Sequence, residues 1–142
     1  MLMFVNIYLF LGTWQDMRTK KIRNWYLWLG GIIGLAYKGR EMIKGTTFFQ
    51  EWALAMIPGL FLLLIAKVTK ENIGYGDGLV LLILGNFFSL MEILSVLQIA
   101  VFFVMICSLA LLCSKKVTGS YQIPFLPFLW GAYTLLWGIG YV

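Results

Sequence analysis

Long runs of hydrophobic residues, separated by short polar breaks, dominate the chain. Six such runs span residues 1–14, 25–37, 48–66, 79–91, 93–113 and 123–142. A bilayer-spanning helix needs about 20 mostly apolar residues, so the runs 48–66, 93–113 and 123–142 are long enough to span unaided. The other three need turns from flanking polar residues or a thinner bilayer. The pattern therefore predicts an all-α, polytopic membrane protein with about six transmembrane helices.

The polar breaks carry unequal numbers of basic residues. They fall at residues 16–24, 38–51, 67–77, 89–92 and 114–122. The first, third and fifth breaks hold eight Lys and Arg, the second holds three and the fourth holds none. Because basic loops stay in the cytoplasm, the odd-numbered breaks are predicted to be cytoplasmic and both termini outside. The first run lacks a preceding basic segment and a small-residue cleavage site, so we expect a retained helix, not a removed signal peptide.

Composition supports the same fold class. Hydrophobic residues make up 61% of the chain and charged residues only 12%, against roughly a quarter charged in soluble domains. The 142 residues are filled by five or six crossings, so residues 1–142 are predicted to form a single membrane-embedded domain. The bilayer's anionic headgroups are the expected partners of the basic breaks. No nucleic-acid partner is expected.

Several kinds of catalytic site can be set aside. The chain has no His, which excludes Ser-His and Cys-His catalysis and the usual imidazole zinc sites. Cys107 and Cys113 lack the C-x-x-C spacing and are predicted to be packing residues. Neither a metal site nor a cofactor is expected. Ser114 adjoins Lys115 and Lys116, but such a run at a helix end more commonly marks the membrane boundary than a Ser-Lys dyad.

Two aspartates remain as candidate functional groups. Asp16 follows the first apolar run, and Asp77 ends the sequence Gly74-Tyr75-Gly76-Asp77 just before the fourth. Both lie in breaks predicted to be cytoplasmic. An ionisable group at the edge of the hydrocarbon is costly and by default indicates a functional site. The alternative is a structural role as a helix cap, for which Asp77 is well placed.

Two glycines favour the functional interpretation. Gly74 and Gly76 remove side chains just ahead of Asp77. They permit unusual backbone angles and the close approach of another chain, such as an extended peptide. A cap alone would not require either property.

These motifs resemble those of the type IV prepilin peptidases, the GxGD-type membrane aspartic proteases. The resemblance rests on the G-x-G-D sequence at residues 74–77, the segment DMRTKKIRN at residues 16–24 and the segment PFLPFL at residues 124–129. It is closest to the short forms that serve tad-type pili. It implies that Asp16 and Asp77 are the catalytic pair, supported by Gly74 and Gly76. It further implies a prepilin precursor as substrate, cut at the cytoplasmic face of the cytoplasmic membrane.

The chain departs from the family pattern at two places. The family commonly has Ile-Pro-Asn where residues 22–24 read I-R-N, and a Lys shortly after the motif aspartate where residues 78–80 read G-L-V. Longer family members add a cytosolic domain, often with paired C-x-x-C cysteines, and methylate the new N-terminus. This chain has no such insertion, so N-methyltransferase activity stays an open question.

The resemblance also implies a mechanism and leaves one alternative. Two neighbouring carboxyls share one proton, so one acts as base and the other as acid. The sequence does not assign the two roles, nor does it set the oligomeric state. The alternative is a non-catalytic membrane scaffold or transporter subunit in which Asp16 and Asp77 are caps. Transport is disfavoured, because the middles of the hydrophobic runs lack paired charged groups.

Overall fold

The computed structural model describes residues 1–19, 22–69, 74–113 and 123–142. These residues form six α-helices and contain no β-strand. The helices are α1 (Leu2–Thr19), α2 (Asn24–Ile43), α3 (Phe49–Val68), α4 (Tyr75–Leu84), α5 (Leu90–Cys113) and α6 (Leu126–Gly138). The all-α prediction is confirmed for this part of the chain.

The helices differ in length as their sequences require. Two of them, α3 with 20 residues and α5 with 24, are long and apolar enough to cross a membrane. The short first and second runs gain turns from flanking polar residues, so that α1 has 18 residues and α2 has 20. The helix α6 has 13 residues and is shorter than the run 123–142 that predicts it. Its first turn contains Pro127, and Gly140 in a left-handed conformation (φ 72°) follows its end.

The shortest helix, α4, packs against both α2 and α3, while α6 packs against α1 and α5. Half of the ten residues of α4 are buried. The side chains of α4 form the hydrophobic core together with side chains of α1, α5 and α6. The largest fully buried side chains of this core are Tyr133, Leu9, Leu81, Ile93, Leu126 and Leu129. The helix that carries Asp77 is thus held from several sides.

Small residues allow α3 and α4 to approach closely. A Cβ placed on Gly59 would lie 2.6 Å from the backbone Cα of Leu82, and one on Gly85 would lie 2.8 Å from the carbonyl oxygen of Ala55. Such contacts are typical of helix pairs in membranes, where small residues let two backbones meet. The close contact fixes the position of α4 along α3.

A buried amide fixes the end of α4. Asn86 is 2% exposed, and its Nδ2 donates to the carbonyl oxygen of Ile83 at 3.0 Å. Its Oδ1 accepts a hydrogen bond from Nε1 of Trp52 in α3 at 3.2 Å. The chain therefore leaves the helix at this turn, which explains why α4 is shorter than the hydrophobic run 79–91.

The two cysteines of α5 are free thiols. Cys107 is half-buried, whereas Cys113 is exposed. The expectation that both are packing residues is therefore wrong for Cys113. Ser114, Lys115 and Lys116 lie outside the described residues.

Candidate active site

Asp16 lies in the last turn of α1, which continues beyond the hydrophobic run as far as Thr19. Its side chain is buried, with the residue 7% exposed. Oδ2 of Asp16 accepts a hydrogen bond from the backbone N–H of Leu126 at 3.4 Å. Leu126 is the first residue of α6, and the first N–H groups of a helix have no partner within it. Asp16 therefore joins the end of α1 to the start of α6.

Asp77 is the third residue of α4, and the N-cap position is occupied by Gly74. The interpretation of Asp77 as the N-cap is therefore wrong. The carboxyl of Asp77 lies close to Gly74. A Cβ added to that glycine would be 2.7 Å from Oδ2 of Asp77. Within residues 1–19, 22–69, 74–113 and 123–142, no hydrogen bond occupies this carboxyl. It is thus available to a water molecule or a substrate.

The negative charge of Asp16 acts on the carboxyl of Asp77. Both lie in polar breaks of the sequence, outside α3 and α5. Burial raises the pKa of Asp77 to about 7, and the negative charge of Asp16 contributes to the same increase. Burial also raises the pKa of Asp16, while the hydrogen bond from the N–H of Leu126 opposes that rise. The fold thus brings the charge of Asp16 within reach of Asp77, although α2 and α3 separate them in the chain.

The glycines of the motif act by close approach. Gly74 has φ −60° and ψ 118°, and among the described glycines only Gly45 and Gly140 have positive φ. The expectation of unusual backbone angles at Gly74 and Gly76 is therefore wrong. A Cβ on Gly76 would lie 2.8 Å from Cδ1 of Ile22. The neighbour is a side chain of this protein, which lies in the same polar break as Asp16.

Two contributors to this site were not identified from the sequence. One is the N–H of Leu126, which the prolines at 124 and 127 could have indicated, since proline is common at the start of a helix. The other is Ile22, the one apolar residue in the basic stretch that follows Arg18. In the described part of the chain, no three His, Cys, Asp or Glu side chains come together as ligands for a metal ion.

Comparison with known proteins identifies a family. Residues 3–112 match the family model described as the type IV leader peptidase family. The match contains both aspartates and ends before the segment 124–129, so the likeness of that last segment is not part of it. No curated protein matches the chain, and no solved structure matches it. Because the family match covers well over half of the sequence, the chain belongs to the type IV leader peptidase family.

Proposed function

We propose that the protein is an aspartic endopeptidase that removes the basic leader peptide from type IV prepilins of the tad or Flp-like class. The cut is made at the cytoplasmic face of the cytoplasmic membrane. Family membership supports leader-peptide cleavage. The aspartic mechanism is supported by one observation above all, the action of the charge of Asp16 on the carboxyl of Asp77.

The surroundings of the two carboxyls favour different roles for them. A backbone N–H donates to Asp16 and stabilises its ionised form. Asp77 has no such donor among the described residues, and its pKa is raised to about 7. We assign the base to Asp16 and the protonated acid to Asp77, which together share one proton.

The proposed reaction follows from these roles. Asp16 takes a proton from a water molecule as the water oxygen attacks the scissile carbonyl carbon. Asp77 donates a hydrogen bond to the carbonyl oxygen, on which negative charge develops. A proton then passes to the leaving amine as the C–N bond breaks. The carboxyls end the reaction with one proton between them, as they began it.

The substrate follows from the placement of the pair at the ends of apolar helices. A small pilin precursor has a short basic leader followed by one apolar helix. That helix fits between the helices of a largely apolar enzyme, with the cleavage site at the membrane edge. The basic breaks would repel the basic leader, so we attribute their charges to contact with anionic lipid headgroups.

The proposed placement in the membrane uses six crossings. The run 79–91, which begins within α4, and the helix α6 with its flanking residues would cross with local thinning of the bilayer, and Asp77 would lie at the membrane edge. The eight basic residues of the odd-numbered breaks support a cytoplasmic position for those breaks, with both termini outside. The prepilin leader and the two aspartates then lie on one side.

The second candidate is a non-catalytic membrane scaffold. It is favoured by the hydrogen bond from Leu126 to Asp16, which gives that carboxylate a purely structural use at the start of α6. In this case the protein would cleave no prepilin. The scaffold offers no reason for an unbonded Asp77 beside Asp16.

The test is processing of a purified tad-type prepilin by the protein in nanodiscs, measured by the mass of the products. We expect Asp16→Asn, Asp77→Asn and the double variant to be almost equally inactive, because groups that act as a unit show non-additive losses. Asn keeps the size of Asp and still offers an oxygen to the N–H of Leu126, so insertion and folding should be preserved.

The matched control is Glu71→Gln, which neutralises the other carboxylate of the two breaks that contain the aspartates. This variant should keep its activity. Appreciable cleavage by Asp77→Asn at normal expression would rule out the two-aspartate mechanism. Complete absence of cleavage by the unaltered protein on several tad-type prepilins would favour the scaffold.

A further inference from the structure

A cavity of about 430 Å³ lies at the opposite end of α4 from Asp77. It is formed where the end of α2, the beginning of α3 and the turn between α4 and α5 meet. Its volume is in the range of small-molecule sites. The ten residues of α4 separate it from the aspartates by roughly 15 Å. It is therefore distinct from the proposed active site.

Two polar side chains that line the cavity have no partner among the described residues. Lys38 is 8% exposed, and its ammonium forms neither a hydrogen bond nor an ion pair with any described residue. Oγ1 of Thr47 is buried and likewise lacks a hydrogen-bond partner in the described structure. Lys38 lines the cavity, so the ammonium at the end of this largely enclosed side chain can pair with an anion there. The arrangement indicates an anionic group that binds between Lys38 and Thr47.

Three carboxylates line the same cavity, and each is already engaged through one oxygen. Oε2 of Glu92 accepts from the N–H of Ser89 at 2.7 Å. Oε2 of Glu51 accepts from a backbone N–H at 3.5 Å, and Oε2 of Glu41 accepts from a hydroxyl at 2.8 Å. Oε1 of Glu51 and of Glu92 accepts no hydrogen bond from the described residues. These two oxygens can accept N–H donors from a ligand.

The cavity thus combines one unpaired cation with carboxylates that retain free acceptors. A simple anion would be repelled by the three carboxylates, and a simple cation by Lys38. A zwitterion that carries a phosphate and a primary ammonium is complementary to both parts. A quaternary ammonium has no N–H to donate, and a glycerol headgroup has no positive charge.

The rim of the cavity indicates that the zwitterion is part of a lipid. Leu54 and Met91 line the cavity and are 46% and 69% exposed. They belong to α3 and α5, the two helices long and apolar enough to cross a membrane. A headgroup in the cavity would leave its acyl chains free to lie along these two helices. We propose that the cavity binds the headgroup of an aminophospholipid, with the phosphate on Lys38 and Thr47 and the ammonium on Glu51 and Glu92.

The experiment compares lipids that differ only in their headgroups. Phosphatidylethanolamine, phosphatidylcholine and phosphatidylglycerol with identical acyl chains are titrated into the purified protein in detergent. The midpoint of thermal unfolding is measured, and retained lipid is counted by native mass spectrometry. We expect the ethanolamine lipid to raise the midpoint and to be retained more than the other two. Equal effects of the ethanolamine and choline lipids would overturn the proposal.

The decisive variant is Lys38→Met, which removes the ammonium and keeps an unbranched side chain. Its apparent affinity for the ethanolamine lipid should fall about tenfold or more, as for the loss of one charge-assisted hydrogen bond. Replacing Lys38 can itself change the stability of the protein through lost side-chain packing, so each variant is compared with and without lipid. Lys44→Met is the matched control, because Lys44 is exposed and does not line the cavity. An unchanged affinity in Lys38→Met would overturn the proposal.

Two further measurements separate the parts of the ligand. Glu51→Gln keeps an oxygen acceptor at the third position of α3, and should reduce the preference for ethanolamine over choline. Free phosphoethanolamine tests whether a soluble headgroup suffices. A saturable response to the soluble compound without any response to the lipid would overturn the lipid assignment.

Discussion

The carboxyl of Asp77 links protonation to folding. Its pKa is about 7 in the folded protein, against an ordinary value of about 4 for an unfolded chain. Between these values the folded protein binds one proton more than the unfolded chain. The stabilisation from this proton is therefore fully present below about pH 4 and is lost as the pH rises to about 7.

This linkage predicts a pH-dependent difference between the protein and Asp77→Asn. From about pH 5 to about pH 8, the midpoint of thermal unfolding in detergent should fall for the unaltered protein relative to the variant, because the variant lacks the carboxyl of Asp77 that loses its proton in this range. Glu71→Gln serves as the control and should run parallel to the unaltered protein. A constant difference between the protein and Asp77→Asn across this range would show that the pKa of Asp77 is not raised.

The contact of Gly76 with Ile22 gives a second prediction for single residues. Gly76→Ala places a Cβ 2.8 Å from Cδ1 of Ile22, and the side chain or the start of α4 must shift. Displacements of about 1 Å at a catalytic group can cost on the order of 10²-fold in rate. We therefore expect Gly76→Ala to lower the rate of prepilin cleavage markedly.

A compensating change tests the cause. Ile22→Ala removes the two atoms nearest to the added Cβ, so the double variant with Gly76→Ala should recover much of the lost rate, as a positive coupling in a double-mutant cycle. Gly131→Ala, at a helical glycine with open space around it, should leave the rate unchanged. Failure of Ile22→Ala to restore any activity would mean that Gly76 is required for another reason.

At the scale of single residues, the sequence predicts the candidate site residues but not the contacts around them. The spacing G-x-G-D and the scarcity of Asp indicated both aspartates, because chemistry limits which side chains can act. The environment of each carboxyl depends on contacts between distant segments. The N–H of Leu126 lies 110 positions from Asp16, and no local pattern specifies such a pair.

At the scale of helices, the contact between α3 and α4 carries the position of Asp77. The substitution Gly59→Ala would place a Cβ 2.6 Å from the backbone of Leu82, so α3 and α4 would have to move apart. We expect Gly59→Ala to destabilise the protein by about 1–3 kcal/mol, the usual cost of overpacking. It should also lower the rate of cleavage, because α4 carries the proposed acid. Stability is measured by unfolding in detergent and the rate with the prepilin assay.

The control for this prediction is Gly31→Ala in α2. A Cβ at Gly31 meets no atom within 4 Å, so this change should add only the helix propensity of alanine, about 1 kcal/mol in favour of folding. The two variants make the same chemical change at helical positions and differ in the space available. Equal stability of the two would contradict the proposed role of Gly59 in helix packing.

The helices also show which features follow from a hydrophobic run and which do not. Runs of apolar residues predicted six helices, and each has a counterpart among the described residues. Their lengths were less predictable, because α4 ends where Asn86 pairs with Trp52 of another helix. The buried positions of α2 are Tyr26, Gly30, Gly34 and Lys38, each four residues after the last. That spacing could have indicated from the sequence that Lys38 faces the bundle.

At the scale of the whole molecule, the distribution of charge and the direction of the helices predict that the two ends of the helix bundle have different partners. The end near Asp16 and Asp77 is flanked by the basic breaks, whereas the cavity with Lys38 lies at the other end of α4. Prepilin leaders would meet the first end and a lipid headgroup the second. The proposed functions of both ends thus depend on one orientation in the membrane.

The orientation is tested by labelling single cysteines in intact cells, in a background that lacks Cys107 and Cys113. Lys21→Cys and Lys70→Cys lie in odd-numbered breaks and should resist a membrane-impermeant thiol reagent, because eight of the 11 basic residues lie in these breaks, which favours their retention in the cytoplasm. Lys44→Cys, in the second break, should react. Permeabilised cells provide the control, since all three positions should then be labelled. Strong labelling of Lys21→Cys or Lys70→Cys in intact cells would reverse the orientation and place the aspartates on the side that prepilin leaders do not reach.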